Sequence, residues 1–285
     1  MNANSLPKTP VINQWLTDAT RQLSTAGIPS ARLDAEIILA HAINKNRAYL
    51  HSYPELSLEK NGLKSVNSLL KLRIERMPIA YITGKKGFYG RKFIVTPDTL
   101  IPRPESEDII TALKRILPSS TYQLPLIKLV DIGTGSGCLG ITAKLEYPNL
   151  DVTLSDISDS ALGIAKKNAE MLSANVRIIK SDLLQNYDEM PDIIFANLPY
   201  VDTAWPRSPE TIYEPSLALF AKNNGLAIIK KLIAQSSDSL ATNGFLIIES
   251  DPIQHKSLIV FANKYGLTKT DEFNYTITFA KKVAC

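Results

Sequence analysis

Apolar residues recur at helical intervals through the first eighty positions. Trp15, Leu16, Ala19 and Leu23 form one set, Ala35, Ile38, Leu39 and Ala42 a second, and Leu63, Val66, Leu69, Leu70 and Ile74 a third. Gly27-Ile28-Pro29 separates the first helix from the next, and Pro78 ends the one read over Asn61 to Arg76. Residues 1–80 therefore read as a small all-α bundle. From Ile82 the pattern changes to short β-branched and aromatic runs. Phe88-Tyr89-Gly90 and Phe93-Ile94-Val95 flank a Gly-Arg-Lys turn, which predicts a β-hairpin. Pro97, Pro102 and Pro104 keep Val95 to Glu105 extended, because each ring fixes its own φ and pushes the preceding residue out of the α region. Residues 81–105 thus read as a stiff linker holding two domains in a fixed relation.

Beyond the linker, apolar strand runs and amphipathic helices alternate. Strands are expected over Ile127 to Ile132, Asp151 to Ser155, Val176 to Lys180 and Asp192 to Ala196, with helices from about Cys138 and over Ala161 to Ser173. Phe245 to Glu249 and Asn274 to Lys281 read as further strands. This alternation predicts an α/β domain over residues 106–285, a doubly wound, mostly parallel sheet with helices on both faces. Ligands of such sheets lie at the carboxyl ends of the strands, near the point where strand order reverses.

Composition narrows the class. A chain of 285 residues, 45% hydrophobic and 21% charged, is an ordinary globular sequence long enough for two cores. The opening MNANSLPKTP has no apolar stretch after its charge, and no run approaches the roughly 18 apolar residues of a membrane span. A cytoplasmic protein is expected, with no membrane partner. Cys138 and Cys285 are too few and too far apart for a disulfide framework or a metal site, so both are expected as reduced thiols. The net charge of +4 implies no nucleic-acid partner. Its distribution is uneven: Lys60, Lys64, Lys71, Arg73, Arg76, Lys85, Lys86, Arg91 and Lys92 stand against the single acid Glu75. Such a run is either a solvated face or a docking surface for a macromolecular partner.

Two segments carry chemistry. Asp131-Ile132-Gly133-Thr134-Gly135-Ser136-Gly137 closes an apolar strand and opens a helix, where glycines admit a ligand to the backbone and free N–H groups meet an anion. Gly135 to Gly140 also fits a dinucleotide pattern, and Asp156 at the next strand end suits the ribose of either cofactor. Asn197-Leu198-Pro199-Tyr200 follows a fourth apolar strand and separates the two readings, because it suits methyl transfer to a planar nitrogen. An amide nitrogen shares its lone pair with the carbonyl and is a poor nucleophile. The Asn197 side-chain oxygen and the Leu198 carbonyl are two acceptors for its hydrogens, with Tyr200 packed on the planar group. Positioning outweighs base strength here, and no general base is expected.

The tetrapeptide resembles the [N/D]-P-P-[Y/F/W] loop of the amino-methyltransferases, with leucine in place of the usual first proline. The spelling N-L-P-Y also occurs in rRNA adenine dimethyltransferases. The segments Pro78-Ile79-Ala80-Tyr81-Ile82-Thr83-Gly84, Phe88-Tyr89-Gly90, Leu100 to Glu107 and Tyr213-Glu214-Pro215 with Leu217-Ala218-Leu219 resemble the protein-(glutamine-N5) methyltransferases, the HemK or PrmC family. The resemblance covers roughly residues 15 to 250. It implies a Rossmann-like S-adenosylmethionine-dependent methyltransferase domain behind an N-terminal helical substrate-recognition domain. It also implies methylation of the glutamine amide in the Gly-Gly-Gln loop of a peptide chain release factor. Position by position, it makes Gly133, Thr134, Gly135, Ser136 and Gly137 the cofactor loop, Asp156 the ribose acid, Asp182 and Leu183 the adenine segment, and Asn197 to Tyr200 the glutamine site. Leu183 stands where relatives often carry an aromatic ring. After Glu249, where relatives usually continue with a Gly and then a Gln, this chain reads Ser250-Asp251-Pro252-Ile253-Gln254. The final strand lacks the family's acid-Arg pair. The alternative left open is an amino-methyltransferase acting on ribosomal protein, rRNA or DNA.

Overall fold

The computed structural model describes residues 9–117 and 126–281. They divide into two units, with the boundary between Gly84 and Lys85.

The first unit is helical. Helices α1 (Ile12–Thr25), α2 (Ala31–Ala42), α3 (Arg47–Ser52), α4 (Lys60–Ile74) and α5 (Ile79–Thr83) enclose a core of Ile12, Trp15, Leu16, Leu23, Ile38, Leu39 and Leu50. The helical spacing read from the sequence is the core-facing stripe of α1, α2 and α4. Two polar ties cross this core: Trp15 Nε1 donates to Asn67 Oδ1 at 2.8 Å, and Arg73 Nε donates to Asp34 Oδ2 at 2.7 Å with both side chains buried. The basic run is therefore not one solvated face. Arg73 is internal, Arg76 donates to the carbonyls of Ala26 and Gly27, and Arg91, in the second unit, pairs with Glu146; Lys60, Lys64 and Lys71 are exposed.

The second unit opens with a hairpin, β1 (Lys85–Phe88) and β2 (Arg91–Ile94), in which Phe88 pairs with Arg91. The turn is thus Tyr89-Gly90 and not Gly90-Arg91-Lys92. Both turn residues have positive φ (48° and 73°), the geometry that matches the twist of a two-residue hairpin. An aromatic residue in that conformation is unusual; its backbone N–H is held by Glu107 Oε1 at 2.7 Å. Phe88 and Phe93 are buried in the core beneath the hairpin.

After a single 3-10 turn (Pro104–Ser106) come α6 (Glu107–Ile116), β3 (Ile127–Ile132), α7 (Cys138–Glu146), β4 (Leu150–Asp156), α8 (Asp159–Met171), β5 (Arg177–Lys180) and β6 (Ile193–Ala196). A 3-10 turn (Pro209–Tyr213), α9 (Ser216–Leu219), α10 (Ala227–Ser239), β7 (Phe245–Glu249), α11 (Pro252–Asn263), β8 (Leu267–Phe273) and β9 (Thr276–Lys281) complete the unit. The strands form one sheet in the order β5-β4-β3-β6-β7-β9-β8, all running the same way except β9, which lies antiparallel between β7 and β8. Hydrophobic clusters cover both faces. The chain runs β3, β4, β5 outward on one side, then returns to lay β6 and β7 on the other. The switch point therefore falls between β3 and β6, whose carboxyl ends lead into Gly133 and Asn197.

Among the described residues no helix is long and apolar enough to cross a membrane, and no group of three or more His, Cys, Asp or Glu could hold a metal ion. Cys138 is a buried free thiol whose pKa burial pushes up to about 12; Cys285 lies outside the described residues. Near the end of the described residues, Lys269 pairs with Glu272, and Lys281 donates to the Leu240 carbonyl.

Candidate active site

One cavity lies at the switch point. Gly133, Thr134, Gly135, Ser136, Asp156, Asp182, Leu183, Asn197, Leu198 and Pro199 all line it, so residues separated by up to 66 positions (133 to 199) converge on one space. Gly137 and Tyr200 do not line it. Gly137 ends the loop as the left-handed residue that starts α7, and Tyr200 turns its hydroxyl to Glu249 Oε1 at 3.1 Å. Further walls come from Asp98, Thr99, Leu100 and Pro102 of the linker, and from Pro215, Leu217 and Ala218.

The loop after β3 is organised from beneath by Asp131. Its Oδ2 accepts from Thr134 Oγ1 at 2.6 Å and from the Gly140 N–H at 3.0 Å, while Oδ1 is buried with no partner. Burial outweighs both bonds and raises the Asp131 pKa to about 6. Asp156 ties this loop to β4: its Oδ2 accepts from the Gly135 N–H and its Oδ1 from the Ser158 N–H, each at 2.9 Å. A carboxylate has about four acceptor positions, so these bonds leave acceptor capacity for a hydroxyl in the cavity. Burial pushes the Asp156 pKa up as well, against these backbone bonds. Asn168 braces the loop from the other side. It is fully buried, donates to the carbonyls of Ser136 and Ile94, and accepts from the Ile94 N–H, joining the hairpin to the glycine loop.

Asp182 and Leu183 follow β5. Asp182 pairs with Lys231 of α10 at 2.7 Å, and both line the cavity. Leu183 is buried with φ 56°, a strained conformation for a branched side chain, and supplies an aliphatic wall of the cavity.

Asn197 to Tyr200 is tethered at both ends. Asn197 Nδ2 donates to Ser106 Oγ at 2.9 Å. Leu198 is buried, and a β-carbon on Gly133 would stand 2.7 Å from its Cδ2. The Tyr200 carbonyl accepts from Gln254 Nε2 at 2.8 Å, and the same nitrogen donates to the Asn224 carbonyl at 2.7 Å. Gly225 packs so closely that a β-carbon there would lie 1.8 Å from the Tyr200 carbonyl oxygen. The segment Ser250 to Gln254, divergent in sequence, thus has a structural account: Asp251 caps α11 and orients Gln254, which clamps the tetrapeptide.

Beneath the loop sits Glu249, the buried last residue of β7, whose pKa burial raises to about 7. Arg103 donates to Glu214 Oε1 at 2.5 Å, and Glu214 Oε2 accepts from the Ile101 N–H at 3.2 Å. Arg103 is therefore an ion-pair residue that fastens the linker. The sequence reading did not place Ser106, Glu249, Gln254 and Lys231 against these loops. A signal existed for Glu249: like Asp131 and Asp156, it is an acid at or next to the end of an apolar strand.

The cavity suits an S-adenosylmethionine molecule on its own chemistry. It offers an acid with free acceptor positions at the end of β4, an apolar wall of Ile157, Leu183 and Leu198, and an open flank at Gly135, where a β-carbon would meet no atom within 4 Å. The unpartnered Asp131 Oδ1 lies directly below this loop.

Comparison with known proteins agrees with this geometry. Residues 14–84 match the PrmC N-terminal domain, and residues 113–208 match the methyltransferase small domain. The chain is 36% identical over 252 residues to a release factor glutamine methyltransferase of Koribacter versatilis, covering 85% of this chain and 89% of that one. It is 35% identical over 243 residues to one of Francisella tularensis, covering 84% of each. A methyltransferase crystal structure from Pyrococcus furiosus superposes with a TM-score of 0.54 over 70% of this chain and 92% of that one, at 20% identity, which speaks to the fold. The loop geometry, the switch-point cavity and these relatives together make the chain an S-adenosylmethionine-dependent methyltransferase that belongs to the release factor glutamine methyltransferase family.

Proposed function

We propose that this chain methylates the side-chain amide nitrogen of the glutamine in the Gly-Gly-Gln loop of a peptide chain release factor. The observation that carries the reading is the Asn197 amide: its nitrogen is committed to Ser106 Oγ at 2.9 Å, which leaves its oxygen as a free acceptor beside the cavity. Asn197 Oδ1 and the Leu198 carbonyl would take the two hydrogens of a primary amide, holding it in a single orientation at near-attack distance. Tyr200, fixed at both its hydroxyl and its carbonyl, would limit the depth of entry. Asp156, Asp182 and Leu183 would hold the cofactor, and the Gly133 to Gly137 loop would accept its charged tail. When bound, S-adenosylmethionine supplies an electrophilic methyl group on a sulfonium. The protein's part is to hold the amide still and dry. The nitrogen releases one proton to solvent water once the methyl has transferred, so no strong base is required beforehand.

The helical unit would recognise the release factor, with the exposed Lys60, Lys64 and Lys71 of α4 as its basic contact. The cytoplasm, where release factors work, is the expected compartment. The test is methylation of purified release factor with labelled S-adenosylmethionine, followed by mapping of the label. Methyl on the Gly-Gly-Gln glutamine supports the reading; methyl on adenine of RNA or DNA would replace it.

A further inference from the structure

We propose that Asn168 is a positioning residue that locks one peptide of the glycine loop and ties the order of that loop to the order of the β1-β2 hairpin. Filling the cavity then stiffens a hairpin that does not line it. The inference rests on the reading that the glycine loop takes the cofactor, and it is independent of which group receives the methyl.

The loop needs such a lock. Gly135 and Gly137 both sit at positive φ, 55° and 81°. A glycine takes either sign of φ, so the Ser136–Gly137 peptide can turn over at little steric cost. That peptide is planar and trans, so its C=O and N–H point in opposite directions and turn together. Here both are held. The Gly137 N–H donates to the Thr134 carbonyl at 2.8 Å, and the Ser136 carbonyl accepts from Asn168 Nδ2 at 2.8 Å. The first bond lies within the loop and moves with it; the second fastens the peptide to α8. Ser136 lines the cavity, so the peptide that Asn168 fixes belongs to the wall a ligand meets.

The same side chain closes the end of the hairpin. Asn168 Nδ2 also donates to the Ile94 carbonyl at 2.9 Å, and its Oδ1 accepts from the Ile94 N–H at 2.7 Å. Both amide hydrogens and the oxygen are thus committed on a residue that is fully buried. Asparagine suits the position because it places two donors and an acceptor on one short planar group; aspartate has the acceptors alone, and serine has one donor. The hairpin has two other anchors. The Tyr89 N–H donates to Glu107 of α6, and Arg91 donates to Glu146 of α7. Of the three anchors, Asn168 is the one that also bonds the glycine loop.

None of the hairpin residues 85–94 lines the cavity. A response of the hairpin to a ligand must therefore pass through the protein. One route is Asn168. Another runs along the chain from Ile94 into Asp98, Thr99, Leu100 and Pro102, which form a further wall. A ligand that orders the loop holds the Ser136 carbonyl on Asn168, and with it the Asn168 amide on Ile94. By linkage, loosening the amide weakens the ligand by the same factor.

The test uses the full chain and S-adenosylhomocysteine, the spent cofactor, which binds without reacting. Amide hydrogen exchange is followed by NMR with and without it, and its Kd is measured by calorimetry. In the wild type the ligand should slow exchange at residues 133–137 and, about tenfold, at the Ile94 N–H and its hairpin neighbours. In Asn168→Ala it should still slow the loop but no longer the hairpin, and Kd should rise about tenfold, the scale of one lost buried hydrogen bond. KM for S-adenosylmethionine should rise by the same factor, with kcat at saturating cofactor within about threefold of the wild type. Arg91→Met, which cuts a hairpin anchor away from the loop, should speed hairpin exchange and leave its slowing by ligand in place.

A ligand that protects residues 133–137 of the wild type and leaves its hairpin unchanged would overturn the coupling, and so would hairpin protection that persists in Asn168→Ala. The wild-type and Arg91→Met results decide the matter even if the alanine variant does not fold. A ligand that binds without protecting residues 133–137 would instead remove the cofactor from this loop, and the coupling with it.

Discussion

Gly133 and Leu198 touch across the switch point: a β-carbon on Gly133 would lie 2.7 Å from Leu198 Cδ2. The contact joins the glycine loop after β3 to the Asn197 to Tyr200 loop after β6, the two segments proposed above to hold cofactor and substrate, and it involves the leucine that stands in place of the first proline of the motif the tetrapeptide resembles. Leucine adds an N–H and gives up the ring's stiffness, but its buried side chain restores order through packing. Gly133→Ala should therefore push the tetrapeptide away and lower kcat/KM tenfold or more, on the order of 1.4 kcal/mol. Adding Leu198→Ala to Gly133→Ala should restore part of that loss. Additive effects in the double variant would show that the two loops are not coupled through this contact.

Gln254 holds the far end of the same loop by two hydrogen bonds. Gln254→Ala leaves the Tyr200 and Asn224 carbonyls without this donor, and should cost about 1–3 kcal/mol of stability. Urea denaturation measures the cost, and a fall in kcat at saturating substrate should accompany it.

Glu249 makes stability depend on pH in a defined direction. Burial raises its pKa from 4.5 to about 7, so the folded state binds the proton more tightly than the unfolded chain. Its contribution to stability is accordingly greatest below pH 4.5 and falls as pH rises to about 7, above which it is constant. The stability of Glu249→Gln relative to the wild type should thus increase across that window and level off above it. A difference that does not vary with pH would mean that Glu249 keeps an ordinary pKa in the fold.

In the helical unit, Asp34 and Arg73 are paired at 2.7 Å with both side chains almost completely buried. Asp34→Ala removes the carboxylate that balances a buried guanidinium and should destabilise the unit by about 3–5 kcal/mol. Thermal unfolding would report it. A change below 1 kcal/mol, the scale of an exposed pair, would contradict the burial seen here.

What could be read from the sequence followed the range of the interactions involved. Local periodicity found the core stripe of α1 and placed β3 at Ile127 to Ile132, because burial on one face or both leaves a pattern within a few residues. The glycine loop and Asn197 to Tyr200 were visible because each directly follows an apolar strand. The hairpin turn was misplaced by one residue because Tyr89 adopts a positive φ that no residue-type preference foretells; a long-range tie to Glu107 holds its N–H. Ser106 is 91 positions from Asn197 and Gln254 is 54 from Tyr200, so neither partnership leaves a local trace. The lining contributed by Leu100, Pro102 and Leu217 was hidden for the same reason.

The central claim is that Asn197 presents an acceptor to a glutamine amide. It is tested most directly by incubating wild type and Asn197→Ala with isotopically labelled S-adenosylmethionine and purified release factor, and mapping the label by peptide mass spectrometry. The account predicts label on the Gly-Gly-Gln glutamine with the wild type and a loss of at least about a hundredfold with Asn197→Ala, the scale of one essential transition-state hydrogen bond. Equal labelling by both proteins, or label confined to adenine when RNA and DNA are supplied, would contradict it.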